Sequence, residues 1–336
     1  MVRLAHALND LQPPVHALVV YNSNPATTAP DSTRVVRGLA REDLFTVVLE
    51  HFLTDTARYA DVVLPATTQV EHTDLVPSWG HTYITYNEPA IAPVGEALPN
   101  TEIFRRMARA MGFDDAAFDD SDEDLARAAV AGARWPLEGV DFDALRTLGW
   151  AEADLPEDFR PFAEGGFGTP SGRFRLWSED LPPGFHSPPG DDEPLALMTA
   201  KSAHHFLNST YANLPRHLAG EGEPMLELHP DDAAARGIAE GDRVRVHNAR
   251  GSVLARARIG DVVGPGVVAL PSGWWASRSP GGASANALTT EELTDRGGGA
   301  TIHSARVEVE AIAKTDGLTD HGLVGKEPTN DAVEVS

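Results

Sequence analysis

Hydrophobic positions follow two rhythms along this chain. In the first third, short apolar runs alternate with helically spaced segments: residues 17–21 read as a strand, 32–40 as a helix, 44–49 as a strand, 54–60 as a short helix and 62–64 as a third strand. That β-α-β-α-β order predicts a parallel sheet with helices on its faces. Each predicted strand runs into polar or turn residues, namely Asn22-Ser23-Asn24-Pro25, Glu50-His51 and Pro65-Ala66-Thr67-Thr68. The carboxyl ends of parallel strands are where such sheets take their ligands. A further alternating run at 81–87, and a helix opened by Asn100-Thr101-Glu102 and stopped by Gly112, close a first domain spanning residues 1–112.

Residues 113–190 are acidic and interrupted by Pro and Gly, with helical spacing near 123–133 and 142–148, and are expected to bridge two domains. From residue 195 the rhythm shifts to short strands separated by glycine turns, at 195–199, 225–229, 243–247, 252–259, 267–270 and 306–312. Six strands with one short helix at 230–236 predict a small β-barrel over residues 191–313. The polar tail at 314–336 is expected to fray.

Composition narrows what such a molecule does. The 336 residues include 50 acidic and 27 basic side chains, a formal charge of −23, so a phosphate-backbone binder is not expected and nucleic acid is not a predicted partner. Zero cysteines exclude a disulfide scaffold, a thiol nucleophile and an iron–sulfur cluster held by these residues. No apolar run approaches the ~18 residues of a membrane segment. The opening residues match neither a secretory nor a twin-arginine leader, so a cytoplasmic location is the expectation.

Candidate chemistry is sparse by motif. The earliest glycine is Gly38, so the G-x-G-x-x-G of an ordinary dinucleotide fold is absent after the first strand. Asn22-Ser23-Asn24 in its place reads either as an Asx-turn before Pro25 or as a set of amide, hydroxyl and N–H groups for phosphate or ribose oxygens. Glu71, His72, Asp74 and His81 match no metal template and read as a polar loop on which Trp79 packs. Trp274-Trp275, after Pro271-Ser272-Gly273, reads either as a stacking platform or as barrel core. The acidic run 119–124 reads as a helix entry, and Gly297-Gly298-Gly299 as a flexible loop. No catalytic residue and no metal ligand is assigned.

Taken in order, longer stretches resemble the C-terminal half of the molybdopterin-dependent oxidoreductases, the superfamily of dimethyl sulfoxide reductase, nitrate reductase and formate dehydrogenase. Residues 47–65, VVLEHFLTDTARYADVVLP, are similar to that family's strand, D-x-F-x-T-E-T-A turn and A-D-V-V-L-P strand, and Glu71-His72 follow. Thr169-Pro170-Ser171-Gly172 with Ser178-Glu179 resembles its connector into the last domain. Thr199-Ala200-Lys201 through Asn208 resembles T-G-R-x-x-x-H-x-x-T, residues 226–242 resemble x-N-P-x-D-A-x-x-x-G-I-x-x-G-D, and Asn286-Ala287-Leu288-Thr289 resembles N-x-L-T.

The resemblance implies an α/β fold: a Rossmann-like parallel-sheet domain followed by a double-psi β-barrel, together gripping bis-molybdopterin guanine dinucleotide with molybdenum or tungsten. By that resemblance Asn22, Ser23 and Asn24 meet a dinucleotide phosphate and ribose. Glu50 stands for the guanine-pairing Asp, and Thr54 and Asp55 follow it. Thr199, Lys201, His205, Asn208 and Asn286 are the barrel contacts, with Lys201 replacing the usual Arg and losing its bidentate fork. The family's metal ligand, and a 4Fe-4S cluster where there is one, lie on an N-terminal half. An N-terminal half or companion subunit and an electron-transfer subunit are the implied partners. The implied activity is electron and oxygen-atom transfer on a small substrate, with this chain inactive alone. The alternative is a non-catalytic remnant or split-gene fragment that folds without a complementary half.

Overall fold

The computed structural model describes residues 1–176, 192–202, 206, 208–294 and 297–312. His205, the connector's Ser178-Glu179 and the 314–336 tail lie outside the described residues. Contacts divide the chain into two units, Met1–Val63 with His186–Ser336, and Leu64–Phe185.

In the first unit, helix α1 (Leu4–Asp10) precedes strand β1 (Ala17–Tyr21). A one-turn helix α2 (Pro25–Thr28) and α3 (Ser32–Leu39) then lead to β2 (Phe45–Glu50), which pairs parallel with β1, Val19 beside Val47 and Tyr21 beside Leu49. Strand β3 (Val62–Pro65), inside which the division between units falls, completes the order β1-β2-β3. The segment expected as a short helix at 54–60 is a 3-10 turn, Ala57–Tyr59.

Asp31 caps α3 by accepting from the Arg34 amide, and Val35 and Leu39 on the helix's buried side pack with Ala5 and Leu8 of α1. Gly38 permits that packing: a Cβ there would lie 2.5 Å from the Leu8 Cβ. The first glycine of the chain thus serves helix contact. The helical cluster covers one side of the sheet through Leu18, while Val19, Tyr21 and Phe45 on the other side are 40%, 52% and 52% exposed.

The same unit holds the barrel: β7 (Leu195–Met198), β8 (Met225–Leu228), β9 (Arg243–His247), β10 (Ser252–Ile259), β11 (Val267–Ala269) and β12 (Arg306–Ala311). It closes in the order β10-β8-β11-β7-β12-β9, with β10–β8 and β11–β7 parallel and the remaining pairs antiparallel. Closure leaves no free edge. Period-two alternation sends Leu195, Leu197, Leu226, Leu228, Val244 and Val246 into one core, among others. Outside, Arg245 faces Glu310 across β9–β12 and pairs with it at 2.6 Å. Helices α7 (Pro215–Glu221) and α8 (Pro230–Ala235) flank β8 in sequence.

In the second unit, β4 (Asp74–Pro77), β5 (Tyr83–Asn87) and β6 (Trp150–Glu152) form an antiparallel sheet. Helices α4 (Asn100–Ala110), α5 (Asp122–Ala131) and α6 (Phe142–Leu148) accompany it. The acidic stretch expected to bridge domains carries α5, α6 and β6. Ala126, Val130, Phe142 and Leu145 pack there on Ile84 and Tyr86, because enough apolar positions at helical spacing survive among the carboxylates. The acidic run enters α5 through a capping box in which Ser121 and Asp124 bond reciprocally.

The polar loop differs from its sequence reading in two respects. It contains strand β4, and Trp79 is fully exposed rather than packed, since the turn between β4 and β5 carries it away from the sheet. Glu71 is buried and accepts from the Thr68 amide, the Thr68 hydroxyl and the Val94 amide, while His72 bonds Thr67 at 2.9 Å. These side chains brace the loop.

Candidate functional site

Among the described residues of the first unit, two cavities bear on the residues singled out from sequence. The first, about 210 Å³, lies at the carboxyl ends of β1 and β2, where the loops of the parallel sheet meet the segments that follow β7 and β11. Asn22, Ser23, Asn24, Glu50, Thr54 and Asn208, all singled out from sequence, line it. Phe52, Ser209, Thr210 and Trp275 also line it, and of these only Trp275 had drawn attention in the sequence.

Glu50 is the one charged side chain on that wall. One of its carboxylate oxygens accepts from the His51 amide at 2.8 Å, which leaves the other without a protein partner among the described residues. Asn22 and Asn208 both sit at positive φ, +50° and +62°, a region that Asn enters at lower cost than most residues. Asn208 is held from behind, because a Cβ on Gly273 would come within 2.0 Å of its carbonyl oxygen. Only glycine, at φ +94°, lets the two loops approach so closely.

Asn24 turns inward. Its amide oxygen accepts from the Thr56 amide and hydroxyl at 3.1 and 2.8 Å, and its NH2 donates to the Thr27 hydroxyl at 3.1 Å. Its side chain thus pins the β1 loop to the β2 loop. Thr54 accepts from the Ala57 amide at 3.2 Å and starts the 3-10 turn. Asp55 is buried beside them, accepting from the Thr27 hydroxyl and from the Ser277 amide, each at 3.3 Å, and does not line the cavity. Asn286 likewise works within the fold, donating to the Thr27 carbonyl at 2.8 Å and accepting from the Thr289 hydroxyl at 3.0 Å.

The second cavity, about 410 Å³, is lined by Lys201, Ser202, Glu221, Glu227, Arg258 and Trp274, among others. Lys201 is the only lysine among the described residues. Glu227 is paired with Arg258 at 2.8 Å, and the Ser202 hydroxyl donates to Glu221. Thr199, also singled out from sequence, is buried next to this strand end and lines neither cavity. The two tryptophans therefore face different cavities, one each, and their shared cluster contains Phe206 and Ala212 rather than barrel core residues. Neither tryptophan joins the barrel core that the sequence offered as one reading: Trp274 packs edge-on against Phe206 at 4.9 Å, and Trp275 walls a cavity while its indole N–H donates to the Ser209 carbonyl at 2.8 Å.

Among the described residues no three His, Asp or Glu side chains converge as a metal site would require. No described helix is long and apolar enough to cross a membrane.

Comparison with known proteins agrees with this layout. Residues 2–110 match the family model "Molybdopterin oxidoreductase", and residues 195–307 match "Molydopterin dinucleotide binding domain". The chain is 41% identical over 320 residues to the "Probable oxidoreductase YoaE" of Bacillus subtilis, covering 93% of this chain and 46% of that protein. It is 31% identical to the dimethyl sulfoxide/trimethylamine N-oxide reductase of Rhodobacter capsulatus, covering 87% and 38% respectively. In fold it resembles acetylene hydratase from Pelobacter acetylenicus, with a TM-score of 0.70 at 22% identity over 92% of this chain and 46% of that one. The chain spans about half the length of the relatives it matches.

Proposed function

The chain belongs to the molybdopterin oxidoreductase family, and on that premise we propose that it is the cofactor-gripping portion of an enzyme carrying bis-molybdopterin guanine dinucleotide with molybdenum or tungsten. In this reading the parallel sheet is the Rossmann-like part, the closed barrel is the double-psi part, and the first cavity takes the guanine end of one dinucleotide.

The observation that carries the reading is the convergence of Glu50, Asn22, Asn208 and Trp275 on one cavity. A carboxylate with one oxygen unclaimed fits a base that presents two adjacent N–H donors, the guanine N1–H and 2-amino group. Phe52 and Trp275 offer apolar ring surface for a planar base. The absence of glycine after β1 fits as well, because Asn22 at positive φ and Ser23 offer neutral donors to ribose and phosphate oxygens in its place. Lys201 supplies a point charge at the second cavity, suited to an anionic part of the cofactor, without the planar fork of an arginine.

When bound, the metal–pterin group supplies two-electron redox chemistry and oxygen-atom exchange. This chain's residues bind and orient it: Glu50 sets the nucleotide's end, Trp275 and Phe52 exclude water from the base, and Asn24 keeps the two sheet loops at fixed spacing. Turnover on a small substrate requires the remainder of the family fold, as a preceding segment or companion polypeptide, and an electron donor.

Material produced with that remainder, in cells supplied with molybdate or tungstate, is expected to carry metal and to release guanine nucleotide on acid hydrolysis in near-stoichiometric amounts. Metal-free and nucleotide-free material would overturn the reading and favour a fold that has lost its cofactor.

A further inference from the structure

Asp55 is a buried carboxylate, 4% exposed, that lines neither of the two cavities described, yet it bonds a residue 222 positions away in sequence. Its Oδ2 accepts from the Thr27 hydroxyl on the β1 side and from the Ser277 amide in the turn Ala276–Arg278, which directly follows Trp275. Its Oδ1 has no hydrogen-bond partner, with the largely exposed Arg58 Nε at 3.8 Å. A carboxylate held in this way is costly to bury, and the two hydrogen bonds it accepts are what it gains in return.

The hydrogen bonds show what the carboxylate does. Trp275 is fixed at its ring by the bond to the Ser209 carbonyl. Its backbone continues into a turn whose side-chain tie to the β2 loop, among the described residues, is the Ser277–Asp55 contact. Thr27, the other donor to Asp55, accepts through its hydroxyl from the amide of Asn24, which lines the same cavity. One carboxylate therefore spans from the sheet loops to the aromatic wall.

We propose that Asp55 is a positioning residue for the first cavity: through the Ser277 amide it holds the turn that carries Trp275 against the sheet loops, and so fixes the aromatic wall without contacting the ligand. The inference rests on the cavity being the guanine site, but the hold on Trp275 is testable without that assumption.

The test uses the full chain labelled with 5-fluorotryptophan, the Trp275 resonance being assigned by its loss in Trp275→Phe, and GDP as the nucleotide probe. Asp55→Ala is expected to shift or broaden the Trp275 fluorine signal, leave the Trp135 and Trp150 signals of the other unit in place, and weaken GDP binding at least tenfold. Asp55→Asn retains a carbonyl acceptor for the Ser277 and Thr27 donors and is expected to rescue both readouts. Ser277→Pro, which removes the N–H at the far end together with the hydroxyl and fixes the local φ, is expected to reproduce the Asp55→Ala signature and replaces it if that variant does not fold. An unmoved Trp275 signal in both Asp55→Ala and Ser277→Pro overturns the proposal. Equal loss of GDP affinity in Asp55→Ala and Asp55→Asn with Trp275 unmoved also overturns it, by assigning the effect to the charge itself. A wild-type chain that binds GDP no better than ADP defeats the guanine reading alone, and the fluorine signals still decide the role of Asp55.

Discussion

The side-chain amide of Asn286 donates to the carbonyl of Thr27 at 2.8 Å across 259 positions of sequence. Ser284 donates to the same carbonyl, and the Asp31 amide bonds the Thr289 carbonyl, so the 284–289 segment that follows the barrel strand β11 is stitched onto the loop between β1 and α3. An asparagine expected to meet cofactor thus holds the 284–289 segment against the loop that follows β1. Asn286→Ala is expected to lower stability by about 1 kcal/mol, since the Thr27 carbonyl keeps one donor. Denaturant melts should show a lower midpoint at unchanged slope.

Glu50 is the reverse case, a residue with little internal work. Its only hydrogen bond is to the neighbouring amide, so Glu50→Gln is expected to leave the melting temperature nearly unchanged. Because it removes a charged partner for two base donors, it should weaken guanine nucleotide binding by roughly 1–3 kcal/mol. Calorimetry with GDP against wild type checks this, and an unaltered affinity removes Glu50 from the site.

Glycine at 273 is required twice over, by its φ of +94° and by the Asn208 carbonyl 2.0 Å from where a Cβ would stand. Gly273→Ala should cost roughly 2 kcal/mol or more and distort the cavity wall. Gly297, with only the Thr294 hydroxyl at 3.6 Å and no positive φ, is the control: Gly297→Ala should be nearly neutral. Paired thermal melts give the comparison directly.

Acid should destabilise the fold in a defined window. Burial alone would raise the Glu308 carboxyl, but the hydrogen bond and charge of Arg236 hold it below the usual carboxylate range. The hydrogen bond from Arg34 lowers Asp10, that from Arg245 lowers Glu310, and that from Arg106 lowers Glu102. Carboxyls depressed in the folded state stabilise it fully above their unfolded values, near pH 4, and that contribution is lost as pH falls through the folded values. Asp31, raised by burial, works in the opposite sense and offsets part of the loss. Melting temperature should therefore hold level above about pH 5 and fall below about pH 4, with a shallower acid limb in Glu308→Gln.

Exposed apolar side chains on the parallel sheet have a measurable consequence. Parallel sheets are ordinarily covered on both faces, and although Val47 and Leu49 are buried on this side, Val19 and Phe45 are 40% and 52% exposed. The chain produced by itself should bind a hydrophobic dye and self-associate, and Phe45→Lys should reduce both. Light scattering and dye fluorescence at matched concentration test this.

Much of this molecule was legible in the order of its residues. Alternation at period two marked the barrel strands β7 to β12 because each alternate side chain had to enter one closed core. The polar residues ending β1 and β2 marked the edge where a cavity lies, because parallel strands place their carboxyl ends together. The run from residue 47 to residue 65 carried the family. What sequence left open were relations between distant segments. Asn22, Asn24, Glu50 and Asn208 share a cavity, whereas Asp55 and Asn286 are spent on bonds within the fold, and nothing in their residue types separates the two groups. Trp79 projects into solvent while Trp275 walls the cavity, although both follow a turn. Local pattern fixes backbone shape and which side of an element is buried, since both depend on near neighbours. Which polar groups are bonded within the fold depends on whether a partner arrives from 200 or more positions away, and only the closing of the barrel against the sheet loops decides that.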